Sequence, residues 1–254
     1  MKIVLLGSGN VATHLAKALM AVGEDVVQVY SQNLEHAKLL ANELKTTAID
    51  HLDEVSLTAD LYIIAVKDDA IESVAKSLKN VSGLVVHTSG TTDLKILSSN
   101  VKDAGVFYPL QTFSKNKAVS FKNIPICLEA NSDDNLKRLK TLANKLSNQV
   151  YELDGEKRKV LHLAAVFACN FTNHLYVLAN QLLEKNNLDF EIIRPLIAET
   201  ADKVMENLPE NVQTGPAIRK DENTMNQHLN MLADLPELQE IYQTLSKSIK
   251  LTHK

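Results

Sequence analysis

A chain of 254 residues, 45% hydrophobic and 23% charged, has the composition of an ordinary folded protein and the length for two domains, which excludes wholesale disorder. A formal net charge of −4, 5% aromatic residues and no tryptophan leave no cationic surplus to neutralise a phosphate backbone, so no nucleic-acid partner is expected. No apolar run approaches the ~20 residues that cross a bilayer, and the opening segment lacks a signal peptide's basic stretch, so no membrane and a cytoplasmic location are expected.

Residues 2–6 (KIVLL) predict a short buried strand, followed by a turn, Gly7-Ser8-Gly9-Asn10-Val11-Ala12, and a helix through Leu15, Leu19 and Met20 to Gly23. A second strand over 26–30 ends at Ser31-Gln32-Asn33, and 34–44 has helical spacing. The alternation continues with strands over 59–66 and 83–88 around a helix over 69–78, then strands over 105–108, 125–129 and 149–153, with a helix over 133–146 before the last. This order predicts an α/β fold, a Rossmann doubly wound parallel sheet, over residues 1–153. From 154 to 254 the strand signals stop, and helices are expected over 156–185, 190–208, 223–232 and 237–250. The first of these, about 30 residues and ~45 Å long, suits a helix shared between domains or subunits. Cys127 and Cys169 sit in apolar contexts and read as reduced core thiols, and no Cys/His spacing predicts a metal site.

Several segments can carry chemistry. In the glycine turn, Gly7 permits the tight bend, and the bare backbone at Gly9 lets a diphosphate approach. Small Ala12 lets helix and strand pack, while Ser8, Asn10 and Val11 present amides and the positive helix end to the phosphates. At the end of the second strand, Ser31 and Asn33 replace the carboxylate that usually holds an NAD ribose. Small polar groups admit a 2′-phosphate, so NADP is favoured, with NAD remaining possible. Val66 and Lys67 stand where a turn covers the nicotinamide half of a cofactor, or else form a solvated turn with Asp68 and Asp69. Ser89, in His87-Thr88-Ser89-Gly90, either faces the crevice at the carboxyl ends of the strands or ends its strand in a simple turn.

In the helical region His162 is a candidate acid/base and Asn170 a candidate for orienting a carbonyl or hydroxyl, whereas Asn173 and His174 read as a buried structural network. Arg219 either grips a substrate carboxylate or pairs with Asp221 to pin its loop.

Taken together, GSGNVA, AVKDDAI, HTSG, FYPLQTF (residues 107–113), the His162 to Asn170 helix and GPAIRKD resemble bacterial Rossmann-like proteins with a C-terminal domain of unknown function, across essentially the whole chain. More distantly the chain is similar to pyrroline-5-carboxylate reductase, deazaflavin-dependent NADP reductase, ketopantoate reductase and prephenate dehydrogenase. The resemblance implies helices like those of the 6-phosphogluconate-dehydrogenase C-terminal domain, and catalytic polar residues on the long helix, as at His162 and Asn170. One departure is Lys220, where related sequences often read GPxxRGD.

The expected function is hydride transfer between a nicotinamide cofactor and a small carbonyl, imine or hydroxy compound in the interdomain cleft. His162 would be acid/base, Asn170 would orient substrate, Ser89 would assist near the nicotinamide and Arg219 would hold an anionic group. The alternative is a dinucleotide-binding redox sensor without catalysis. Apolar stripes including Leu196, Ile197, Met205 and 229–235 are too many for one small helical domain, so a homodimer through that domain is expected.

Overall fold

Apolar strand runs without polar alternation call for cover on both faces, and the computed structural model, which describes residues 1–115 and 117–253, gathers them into one eight-stranded sheet. In chain order the elements are β1 (Lys2–Leu6), α1 (Asn10–Ala21), β2 (Asp25–Tyr30), α2 (Leu34–Leu44), β3 (Thr47–Ile49), β4 (Leu61–Ile64), α3 (Ile71–Ser77), β5 (Leu84–His87), α4 (Lys95–Ser98), β6 (Ala104–Pro109), β7 (Ile126–Ala130), α5 (Asp133–Leu146), β8 (Val150–Glu152) and α6 (Gly155–Ala165). The strand order is β3-β2-β1-β4-β5-β6-β7-β8, which reverses direction between β1 and β4 and opens a crevice at their carboxyl ends. Successive side chains of β1 serve opposite layers. Ile3 and Leu5 pack with Leu15, Leu19 and Leu142, while Val4 and Leu6 pack with Ile64, Ile71 and Val74.

The sheet departs from the all-parallel expectation at one place, where β7 runs antiparallel to β6. A parallel return needs a crossover that carries the chain to the other end of the sheet. Among the described residues the connection between them holds a single 3-10 turn, Phe121–Asn123, so the chain re-enters from the end at which it left. The three-residue β3, paired to β2, is too short to have signalled itself in the sequence.

The described chain divides into two units, Met1–Cys169 and Asn170–Lys254. The first reaches past the expected 153/154 boundary because α6 packs on the sheet. Leu161 joins Val106, Tyr108 and Cys127, and Arg158, 1% exposed, is ion-paired with Glu129 and donates to the Thr92 carbonyl at 2.6 Å. A buried guanidinium is tolerable only with such partners.

The second unit contains α7 (Thr172–Lys185), α8 (Arg194–Glu206), α9 (Glu222–Met231) and α10 (Pro236–Thr252). Between α6 and α7 the chain makes a π-helical turn, Val166–Phe171, so the expected long helix is present as the 31-residue stretch Gly155–Lys185 with its register shifted midway. With a mean hydropathy of 1.2 over its most apolar 18-residue window, this helix is long and apolar enough to cross a bilayer by length and composition alone. His162, Asn170, Asn173 and His174 interrupt it, so it is not an unbroken apolar run. Among the described residues of this unit the buried apolar ones are Ala217, Met225 and Leu232. With so little covered, Asn173 and His174 are exposed rather than in a buried network, and Cys169 is exposed while Cys127 is buried as expected.

Candidate active site

The two glycines of the first turn answer to different demands. Gly7 has φ +132°, its N–H donates to the Tyr30 carbonyl at 2.8 Å, and a Cβ there would lie 2.2 Å from the Ala65 carbonyl oxygen. The fold alone requires it. Gly9, with φ −76° at the N-cap of α1, has an ordinary backbone, and a Cβ there would meet nothing within 4 Å. Neither packing nor backbone strain asks for glycine here, and the space beside it is open. The α1 N-terminus has no side-chain cap and no acid in its first turn, so the amides that follow Gly9 and the positive helix end face that space. A diphosphate fits such a cradle. Beside it, Ser8 and Val11 are half-buried, and Asn10 donates from Nδ2 to the Phe113 carbonyl at 2.9 Å. One turn on, His14 Nε2 donates to the Ser114 carbonyl at 2.9 Å and its ring stacks on Phe113, so the segment after β6 is tied to the first turns of α1.

At the end of β2, Ser31 is half-buried and Asn33 is exposed. Asn33 Oδ1 accepts from the Glu35 and His36 amides at 3.0 and 3.3 Å, capping α2, and among the described residues its Nδ2 group has no partner. None of residues 31–33 is a carboxylate; the nearby acid is Asp50, just past the paired β3, whose charge adds to burial in raising the Tyr30 pKa.

The ends of β4 and β5 are linked to each other. Past β4, Val66 is half-buried and Lys67 exposed, and Asp68 accepts from the Thr91 hydroxyl at 2.5 Å. Ser89 Oγ accepts from the Thr91 and Thr92 amides at 3.1 and 2.9 Å, and the Ser89 amide donates to His87 Nδ1 at 3.2 Å. Ser89 is buried and shapes this turn; because the Thr91 hydroxyl hydrogen goes to Asp68, Ser89 Oγ donates its own to Thr91 Oγ1 at 3.4 Å, a long bond that a ligand would have to replace. His87 is fully buried, and among the described residues its Nε2 has no partner. Burial, followed by the nearby Arg158 charge, lowers its pKa to about 4, so the ring is neutral.

Tyr108, on β6, lies against the same turn. Its hydroxyl is 3.0 Å from Nδ1 of half-buried His162 on α6, and burial raises its pKa to about 12. A Cβ on Gly90 would fall 2.6 Å from that nitrogen and 2.9 Å from the Tyr108 ring. The structure therefore brings His162, Tyr108 and the HTSG segment together. Sequence reasoning had the FYPLQTF segment but not the role of Tyr108, since a tyrosine in a strand reads as a strand former. Asn170 and Arg219 are in the second unit, both exposed within it, Asn170 on the π-helical turn. Asp221 is engaged in capping α9, where its bonds from the Thr224 amide and hydroxyl, more than Arg219, lower its pKa. Among the described residues Arg219 has no ion-pair partner, so the pinned-loop pairing with Asp221 is not formed. Lys220 has φ +55°, a left-handed conformation that glycine adopts most readily. Among the described residues no cluster of His, Cys, Asp and Glu is arranged to hold a metal.

Residues 2–89 match the family described as NADP oxidoreductase, coenzyme F420-dependent, and residues 124–249 match the domain of unknown function DUF2520. A Bacteroides fragilis protein assigned as an NADP oxidoreductase superposes with a TM-score of 0.93 at 49% identity, covering 98% of this chain and 97% of its own. A Thermotoga maritima protein superposes with a TM-score of 0.75 at 22% identity, covering 99% and 98%. Plasmodium falciparum pyrroline carboxylate reductase with NADP bound gives 0.60 at 15% identity over 98% of both chains, a likeness of fold. Among functionally curated proteins none matches.

Proposed function

We propose that this chain, which belongs to the family of NADP oxidoreductases joining an F420-dependent-type Rossmann half to a DUF2520 half, reduces or oxidises a small carbonyl, imine or hydroxy compound at the carboxyl edge of its sheet. The observation that carries the reading is the open space over Gly9, which no other part of the described chain accounts for. When bound, NADPH supplies the hydride that adds to the carbonyl or imine carbon, the double-bond pair moving onto oxygen or nitrogen. The amides after Gly9 would hold the diphosphate, Ser31 and Asn33 would take the 2′-phosphate, and Val66, Lys67 and the Ser89 turn would serve the nicotinamide half. His162 offers an N–H to the atom that gains the electron pair. Within the second unit taken by itself, Asn170, on a π turn of the kind that often marks functional positions, offers an amide, and Arg219, without an ion pair among the described residues, offers a guanidinium suited to an anionic group.

The test joins binding to turnover. Gly9→Asp places a carboxylate where the diphosphate sits and is expected to leave the melting temperature unchanged while abolishing NADPH binding in calorimetry; retained affinity rejects the cradle. Wild-type protein is expected to consume NADPH with a member of a carbonyl, imine and hydroxy-acid panel. Tight binding with no turnover across the panel favours the sensor instead.

A second copy of the chain is proposed as the cover for the helical unit, giving a homodimer in the cytoplasm. Its support is the scarcity of covered apolar residues there, with Leu196, Met205 and Met231 65%, 82% and 76% exposed. Light scattering should give twice the chain mass of 28.1 kDa, and a monomer removes the proposal.

A further inference from the structure

We infer that Tyr108 is a positioning residue for this reaction, its hydroxyl donating to Nδ1 of His162 and so fixing the imidazole in the tautomer that carries its hydrogen on Nε2. The inference rests on reading His162 as the group that serves the substrate.

The ring planes are tilted by 60° with centroids 6.1 Å apart, so the two side chains meet through the hydroxyl rather than by stacking. Tyr108 is 9% exposed, and burial keeps its phenol protonated, so one hydrogen must find an acceptor. Among the described residues His162 Nδ1 is the acceptor within reach, at 3.0 Å. A neutral imidazole that accepts at Nδ1 donates from Nε2. A half-exposed histidine left to itself would satisfy both nitrogens with water and sample both tautomers. Holding Nδ1 on a buried phenol removes that choice and reserves one edge as a donor.

Two neighbours are built around the pair. Gly90 does not have a left-handed backbone, so its conformation does not call for glycine. Its contacts do, because a Cβ would press on His162 Nδ1 at 2.6 Å, on its Cγ at 2.8 Å and on the Tyr108 ring at 2.9 Å. Arg158, one turn before His162 on α6, is anchored to Glu129 and the Thr92 carbonyl. The helix is thus set by Arg158 and the ring by Tyr108.

The experiment is nitrogen-15 NMR of histidine-labelled full-length protein saturated with NADP, the His162 signals being assigned by their loss in His162→Gln. Wild type is expected to show an unprotonated Nδ1 and a protonated Nε2. Tyr108→Phe, and independently Gly90→Ala, should mix the two tautomers and lower kcat about 10-fold, with KM for NADPH changed less than about twofold. A hydrogen on Nδ1 in wild type, or a Tyr108→Phe protein with unchanged tautomer and kcat, overturns the inference alone. A wild type with the expected signature that turns over no substrate overturns the acid/base reading beneath it.

Discussion

Replacing each glycine of the first turn by alanine separates what the fold needs from what a ligand needs. At Gly7 the methyl group would sit 2.2 Å from a backbone carbonyl oxygen, on a residue whose φ of +132° an L side chain rarely adopts. Backbone strain of about 1–3 kcal/mol and overpacking of about 1–3 kcal/mol both apply, together a large share of the ~5–15 kcal/mol that holds a domain folded. At Gly9 the methyl group meets no atom within 4 Å and the φ of −76° is unstrained, so the stability change should stay within about 0.5 kcal/mol. The same methyl group stands where a diphosphate must lie against the amides, so NADPH affinity should fall by about 100-fold, roughly 2.7 kcal/mol. Urea denaturation followed by circular dichroism, with calorimetric titration of NADPH, reads both quantities. A Gly9→Ala protein that binds NADPH like wild type, or a Gly7→Ala protein as stable as wild type, would refute the division of labour.

Three other outcomes are expected. His87 has a folded-state pKa of about 4 against an ordinary 6.5 because burial, then Arg158, disfavours its charged form. The unfolded chain therefore binds the extra proton first, and as pH falls from 6.5 to about 4 the fold should lose roughly 3 kcal/mol. Melting temperatures should drop across that window in wild type and less so in His87→Asn, whose amide oxygen can replace Nδ1 as acceptor; equal slopes would contradict this. Arg158→Met strands Glu129 and the Thr92 carbonyl, and because Glu129 keeps some solvent contact the cost should be about 3 kcal/mol, read as a lower urea midpoint; an unchanged midpoint would show that the ion pair contributes nothing net. Lys220→Gly relieves a left-handed residue and should raise stability by about 0.5–1 kcal/mol, whereas a loss of stability would show the loop is not strained there.

What could be read from the sequence was mainly what is local. The first strand, the glycine turn and α1 follow from adjacent residues, and the helix over Asp133–Leu146 was found to the residue because Ser132 caps it and its leucines repeat at helical spacing. The reversal at β7 was hidden because a strand's direction depends on where its connection travels, which strand composition does not record. Tyr108 was hidden for a related reason: its partner His162 is 54 positions away. Arg158 sits in GEKRKV, a charge run that reads as solvated, and only the Glu129 carboxylate and Thr92 carbonyl in reach make its burial feasible. The π turn leaves no composition signature, so the α-helical spacing assumed between His162 and Asn170 did not anticipate it. Lys220 is the reverse case, a departure visible in the sequence whose meaning, a left-handed residue without glycine, came from the backbone.

A crystal structure of the protein grown with NADP tests the central claim most directly. The account predicts diphosphate oxygens at hydrogen-bonding distance from the amides that follow Gly9, with the nicotinamide near the Ser89 turn and His162. A dinucleotide seated elsewhere, or a Gly9 surface still bare at saturating NADP, would contradict it.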